Sequence, residues 1–325
     1  YQLIPKAPVD QVPIWSSGYG RTDAADGRVF KWIFNAPTTY WSQASAVIRY
    51  IGSQEGGLNN LRGKKIVHIY HNSAYGKEAN PTLEVLSKKF GYKLMLLAVD
   101  HPGQEQKATW LQVRRYRPDY IYMSAWGVMG QVAVKEAASI NFPMDHFIGN
   151  WWSGSESEVR PSGMKAKGYK SATFNGAGSN WKVHRDILKH VYNGDRAKAL
   201  ENKWGEVLYN RTVVGAIFNI EAVRTAQNRY GKKPMTGAQM RWGIENLNIT
   251  KSRLKELGAD GLTLPLKITC SDHESGGPVI IQQWDGTKWS MISDWIPVMK
   301  DVVRPMIEKA AAAYAKENNI TPRDC

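Results

Sequence analysis

The chain is poor in cysteine, in acidic residues and in long apolar runs. Of its 325 residues only Cys270 and Cys325 are cysteines. A pair without Cys-x-x-Cys spacing makes neither a zinc site nor a redox motif. Cys325 ends the sequence and Cys270 follows a strand-like run, so a disulfide that pins the tail is the candidate role; two unrelated thiols are the alternative. A disulfide would imply an oxidising compartment. No apolar run approaches the roughly 18 residues that span a bilayer. Tyr1 opens a polar, proline-bearing segment, not a charged-then-apolar leader, and a trimmed chain would look the same. Acids number 29 against 43 Lys and Arg, a formal charge of +14. Such an excess fits nucleic acid or an anionic membrane when it is clustered. Here it is scattered. The densest groups, Arg62-Gly63-Lys64-Lys65 and Arg114-Arg115-Tyr116-Arg117, fall at a strand start and a helix end. Helix ends favour cations, and both groups read as solvated surface.

Signatures of catalysis are also missing. There is no G-x-G-x-x-G between a strand and a helix, no P-loop Gly-Lys-Ser/Thr and no G-x-S-x-G. Asp272-His273-Glu274 is the nearest thing to a catalytic triplet, but consecutive side chains do not converge on one point. It reads as a polar crossing between two lobes. His68 and His71 show no metal-ligand spacing. The expectation is a binding protein with no catalytic residues, cofactor or metal, and no nucleic-acid partner. What the chain has in quantity is rings, with 13 Trp and 15 Tyr, which suit apolar or aromatic ligands.

The length exceeds one ordinary core and suggests two domains. From Leu61 to Gly149, strand-like runs alternate with helical spacing: Lys65–Tyr70, a helix from Gly76 to Phe90, Tyr92–Val99, a helix from Gln106 to Tyr116, Tyr120–Met123, a helix from Val128 to Ile140, and His146–Ile148. That alternation means βαβ units and a parallel sheet. Residues 180–257 read as helical, with candidates at Trp181–Tyr192, Ala197–Tyr209, Thr212–Tyr230 and Ala238–Leu247. Strands are then expected at Leu264–Thr269, Val279–Trp284 and Trp289–Ser293, with Asp285-Gly286 as a hairpin turn. An Ala-rich helix from Pro305 to Asn318 ends the pattern. Ligands of open α/β sheets bind outside the carboxyl ends of the strands. The stretches His71–Gly76 and Gly149–Trp152 both lie there.

An ordered set of segments resembles one family: Val12-Pro13-Ile14-Trp15-Ser16-Ser17-Gly18, Phe34-Asn35-Ala36-Pro37-Thr38-Thr39-Tyr40, Gly63-Lys64-Lys65-Ile66-Val67, Tyr75-Gly76-Lys77-Glu78, Pro118-Asp119-Tyr120-Ile121 and Gln283-Trp284-Asp285-Gly286. Together they are similar to the type I periplasmic solute-binding proteins of branched-chain amino-acid-type ABC transporters, the leucine/isoleucine/valine-binding family. The resemblance implies an α/β fold of two lobes, each a mainly parallel sheet flanked by helices, joined by three crossings. It places residues 1–45 and 179–268 in lobe one, 46–178 and 269–299 in lobe two, and 300–325 in a C-terminal helix and tail. It further implies a periplasmic protein that traps a small molecule between the lobes and docks on a membrane permease, without inserting in the membrane. The family normally begins with roughly 75 to 100 further residues, so lobe one is expected to be incomplete on its N-terminal side.

The ligand-binding candidates are Tyr75 and Trp151 by the same resemblance, Asn150 for its amide beside Trp151, Trp126 for its place at the binding edge after the third strand, and Ser17, Gly18 and Tyr19 for their small-residue loop after a lobe-one strand. Amino-acid binders carry a carboxylate where Trp151 stands and a hydroxyl residue where Gly20 stands. Without an acidic partner, a desolvated ammonium lacks its counter-charge. The expected ligand is therefore a small aromatic or otherwise apolar organic acid. Two rival readings remain at this point: a ligand sensor of the same fold, and a nucleotide-using enzyme on a doubly wound sheet.

Overall fold

The computed structural model describes residues 1–16 and 20–325. The chain opens with α1 (Ala7–Asp10) and a short parallel pair, β1 (Ile14–Trp15) and β2 (Ile33–Phe34). It then enters a sheet-centred body. Helix α2 (Tyr40–Gln54) is followed by β3 (Lys65–His71), α3 (Ala74–Lys77), α4 (Asn80–Phe90), β4 (Lys93–Val99), α5 (Lys107–Tyr116), β5 (Tyr120–Ser124), α6 (Val128–Ser139), β6 (Phe147–Gly149), α7 (Glu156–Val159) and β7 (Lys170–Thr173). A helical body comes next: α8 (Lys182–His190), α9 (Arg196–Glu201), α10 (Val207–Tyr230), α11 (Gly237–Glu245), β8 (Asn248–Ile249), α12 (Lys251–Glu256) and β9 (Leu266–Lys267). The chain returns to the first body as the hairpin β10 (Ile280–Trp284) and β11 (Trp289–Met291), and ends in α13 (Lys300–Glu317).

The main sheet has seven strands in the order β11-β10-β7-β6-β5-β3-β4. All neighbours from β4 to β7 run parallel, and β10 and β11 add antiparallel at one edge. Parallel sheets are covered on both faces, so their strands read as continuous apolar runs. Successive residues of β3 show this. Ile66 packs with Tyr122, Ile148, Ala172 and Ile281 under α2 and α4. Val67 and Ile69 pack with Ile121, Met123 and Phe147 on the opposite face, with Trp110 of α5 and Ala133 of α6. The helical body has its own core, built on Phe34, Phe218, Ile244, Leu254 and Leu266.

Several elements depart from the sequence reading. Helix α2 has no expected counterpart, because 12 of its 15 residues are buried and no polar face marks the helical period. Strand β7 was likewise unmarked: its four residues, Lys170-Ser171-Ala172-Thr173, are all buried, but only Ala172 is apolar. The helix expected over Ala197–Tyr209 stops at Glu201. Lys203 (φ 64°) and Gly205 (φ 85°) turn the chain there, and α10 then starts at Val207, five residues before the expected Thr212. The helix expected from Gly76 to Phe90 is two helices, the second opening with Pro at its first turn. The Leu264–Thr269 strand shrinks to Leu266–Lys267 and the Trp289–Ser293 strand to Trp289–Met291. The Asp285-Gly286 turn forms as expected, with Asp285 Oδ1 accepting the N–H groups of Thr287 and Lys288 at 2.8 and 2.9 Å.

Cys270 and Cys325 are joined in a disulfide, with Cα atoms 5.6 Å apart. Arg323 fastens the same tail: its Nε donates to Gly27 O at 2.9 Å, and its guanidinium pairs with Glu245. The Asp272-His273-Glu274 triplet lies where the chain passes between the bodies. His273 Nδ1 donates to Ile33 O at 2.6 Å, and Glu274 accepts from both Thr39 N and Thr39 Oγ1 at 2.8 Å. Glu274 therefore caps the start of α2 and is a structural residue.

Candidate functional site

Because β3, β5 and β6 are adjacent and parallel, their carboxyl ends share one edge. Each ending is shaped locally. After β3, Ser73 caps α3 by accepting Gly76 N–H. Gly76 fits because a Cβ at this position would lie 1.9 Å from His71 O. This turn places the Tyr75 hydroxyl to donate to Ala125 O at 3.0 Å, at the end of β5, and to accept from Asn150 Nδ2 at 2.8 Å, at the end of β6. Asn150 Oδ1 accepts the N–H groups of Trp152 and Ser153, both at 3.1 Å. Tyr75 and Asn150 thus staple three strand ends into one unit. Burial, and then the neighbouring Tyr40 hydroxyl, push the Tyr75 phenol well above its ordinary range, so it stays neutral as a donor.

Rings pack over this staple. Trp151 is fully buried. It stacks on Tyr40 with centroids 4.8 Å apart and meets Phe174 edge-on at 5.5 Å. Tyr40 also meets Tyr75 edge-on at 5.3 Å, and its hydroxyl accepts from Trp152 Nε1 at 2.8 Å. All five residues belong to the sheet-centred body. The helical body adds a cation from α10. The Arg211 guanidinium lies 4.8 Å from the Trp152 ring and 5.0 Å from that of Phe174, and its Nη2 donates to Trp151 O at 2.9 Å. Arg211 is only 5% exposed. A buried cation over ring faces is held by their quadrupoles, and its guanidinium geometry matches a carboxylate.

Two carboxyls follow Trp151 in the chain, and both face backbone. Glu156 accepts Val207 N–H at 3.1 and 3.3 Å. Glu158 accepts Gly127 N–H at 2.7 Å, and burial raises it to about 8. Among the described residues no His, Cys, Asp and Glu cluster is fit to hold a metal ion.

The structure brings Tyr75, Asn150 and Trp151 together. Trp126 stands apart from them, 52% exposed, its ring 6.1 Å from that of His71. Ser17, Gly18 and Tyr19 lie outside the described residues. Three members of the cluster carried no sequence expectation: Tyr40, Phe174 and Arg211. Tyr40 follows Thr38-Thr39 in one of the segments that carry the family resemblance, which was its only signal. Arg211 had none, since it sits in a long helix of the other body.

Among the described residues no helix is long and apolar enough to cross a membrane. A family profile described as "Periplasmic binding protein" matches residues 2–288. No curated protein matches the chain. A crystal structure described as an ABC transporter permease from the Pseudomonas fluorescens group is 44% identical over the whole of this chain and 79% of that one, with a TM-score of 0.95. A branched-chain amino-acid ABC transporter protein from Thermus thermophilus with bound valine is 18% identical over 94% of this chain and 77% of that one, with a TM-score of 0.76. An R. palustris solute-binding protein in complex with benzoate is 13% identical over 91% and 74%, with a TM-score of 0.69. The chain therefore belongs to the type I periplasmic binding proteins, the solute-binding components of ABC transporters of the branched-chain amino-acid type.

Proposed function

We propose that this solute-binding protein captures a small aromatic or otherwise apolar organic acid where its two bodies meet, and hands it unchanged to a membrane permease from the periplasmic side. One observation carries the choice of an acid: a buried guanidinium, Arg211, set among Trp151, Trp152 and Phe174. Rings supply apolar area to the body of the ligand, and the guanidinium supplies a bidentate partner for its carboxylate. Solved relatives of this fold include one with valine and one with benzoate. Both are distant, so the choice rests on the residues of this chain. We take residues 1–45 with 179–268 as one lobe, 46–178 with 269–299 as the other, and α2 as spanning the first boundary. Ligand touching both lobes binds their closed arrangement better and shifts the population toward it. Tyr75 and Trp151 form the lobe-two wall, Tyr40 stacks on it from the start of α2, and Asn150 holds the wall in shape. The exposed Trp126, and Ser17, Gly18 and Tyr19 before α2, complete the proposed ligand set. The test is a thermal-shift and tryptophan-fluorescence titration with aromatic acids, aliphatic acids, amides and amino acids. Stabilisation by aromatic acids supports the reading. Tight binding of leucine or valine with none of benzoate overturns it.

A further inference from the structure

Helix α10 runs for 24 residues, and its N-cap residue, Glu206, makes no side-chain capping bond. The first N–H groups of any helix lack partners within the helix, and they carry the positive end of its dipole. Here one is satisfied from the other body. Glu156, in α7 of the sheet-centred body, takes Val207 N–H with both carboxyl oxygens at 3.1 and 3.3 Å, and is itself 7% exposed. Asn175 reinforces the contact by donating from Nδ2 to Val207 O at 3.1 Å. One turn further along the same face comes Arg211. Its Nη2 reaches Trp151 O, and its guanidinium covers Trp152 and Phe174. Glu156 follows Trp152 by four residues, so the loop that carries the rings also carries the group that fixes the helix bearing the cation.

We propose that Glu156 is a positioning residue which, by capping α10 from across the junction between the two bodies, seats Arg211 over the rings and so couples closure to assembly of the anion grip. It acts through α10 and touches no ligand. The inference rests on the reading of Arg211 as the anion partner for its consequence, but the capping role stands or falls by itself.

The capped carboxyl has a distinctive protonation. Burial, first, raises it to about 7; the Val207 N–H bond pulls it down, as does Arg160, while Glu206 pushes it up. Arg160 and Glu206 also pair with each other at 2.8 Å at the outer rim, and Arg211 lies one turn further along α10. A carboxyl released to water returns to roughly 4.3. Capping therefore takes up a proton between those values. Its contribution is complete below about pH 4 and is lost as pH rises through about 7.

The experiment is amide hydrogen exchange of the ligand-free, disulfide-intact protein at pH 5.5 and 8.0, corrected for intrinsic rates and read across residues 207–211. In the wild-type protein, protection at Val207 should fall by about tenfold or more at the higher pH. Glu156→Gln keeps an acceptor oxygen and cannot ionise, so it should hold the pH 5.5 protection at both values. Glu156→Ala should lose protection at both. Equal protection in wild type and Glu156→Ala overturns the proposal. So does a Gln variant that behaves like Ala, or one that keeps the pH dependence, because either outcome leaves Glu156 as packing alone. No ligand enters the measurement, so a failed ligand screen would leave this result standing, and the reverse holds as well.

Discussion

Replacing Arg211 with Met removes one buried charge and leaves a side chain of similar reach in the same slot. In the structure the guanidinium donates to Trp151 O at 2.9 Å, between the rings of Trp152 and Phe174. At 5% exposure, a carboxylate brought to it is little screened by water. Unit charges about 4 Å apart attract by about 4 kcal/mol at an effective dielectric of about 20. Desolvation of the carboxylate opposes part of that, and removing one member of a close buried pair costs about 2–5 kcal/mol. Arg211→Met should therefore weaken benzoate binding by about 3 kcal/mol, roughly 150-fold. Benzamide keeps the ring and drops the charge, so its affinity should change by less than about threefold. Isothermal titration calorimetry with both compounds reads the difference, and a melting curve checks that the variant is folded. Two results refute the reasoning: unchanged benzoate affinity in the variant, or a wild-type protein that binds benzamide as tightly as benzoate.

Trp151→Ala empties a fully buried site, and should cost about 3–5 kcal/mol in urea unfolding and about 2 kcal/mol or more in ligand binding. An unchanged binding constant would remove Trp151 from the site. The Cys270–Cys325 bond spans 55 residues, for which chain entropy gives about 4 kcal/mol of stability. A Cys270→Ser/Cys325→Ser chain that unfolds at the same denaturant concentration as the oxidised protein would contradict this. Glu158 is raised to about 8 by burial, so its contribution is present at acid pH and is lost as pH rises through 8. Glu158→Gln should flatten the decline of the melting temperature between pH 6 and 9, and a decline as steep as in wild type would assign it to other groups.

The sheet-centred body was legible because its strands are apolar runs and the helices between them are half-buried. Leu83 and Leu86 of α4 and Val113 of α5 face inward while Lys88, Lys89, Arg114 and Arg115 face out, which is the period the eye can find. Buried elements with polar composition escaped it. In α2, Ser42, Gln43 and Ser45 lie within the interior, where Gln43 Nε2 donates to Ala172 O at 3.0 Å and Ser45 Oγ accepts Met299 N–H at 3.0 Å. Those bonds are long-range, so nothing in the neighbouring sequence reports them. The site divides in the same way. Tyr75 and Asn150 were found because each ends a strand at the binding edge, a local property. Arg211 joins the rings only through contacts between bodies some 60 residues apart, and no periodicity records that.

Charge sign, more than ring count, decides which solute such a junction prefers. Among the described residues, the side chains around Trp151 present one cation, Arg211, while the two carboxyls of the adjoining loop are directed to the N–H groups of Val207 and Gly127. Glu158, at about 8, is largely protonated at neutral pH and offers no negative charge. Phenylalanine and 3-phenylpropanoate differ only by an α-ammonium. Both bring a ring to Tyr40 and Trp151 and a carboxylate to Arg211, but the amino acid also brings a cation that must give up water without an anionic partner. Leaving a buried charge unpaired costs several kcal/mol, so 3-phenylpropanoate should bind at least about 100-fold more tightly. Competition between the two compounds, followed by tryptophan fluorescence at neutral pH, measures that ratio directly. A preference for phenylalanine would mean that an acidic group reaches the ligand after all, and that the rings of this junction serve an amino-acid binder.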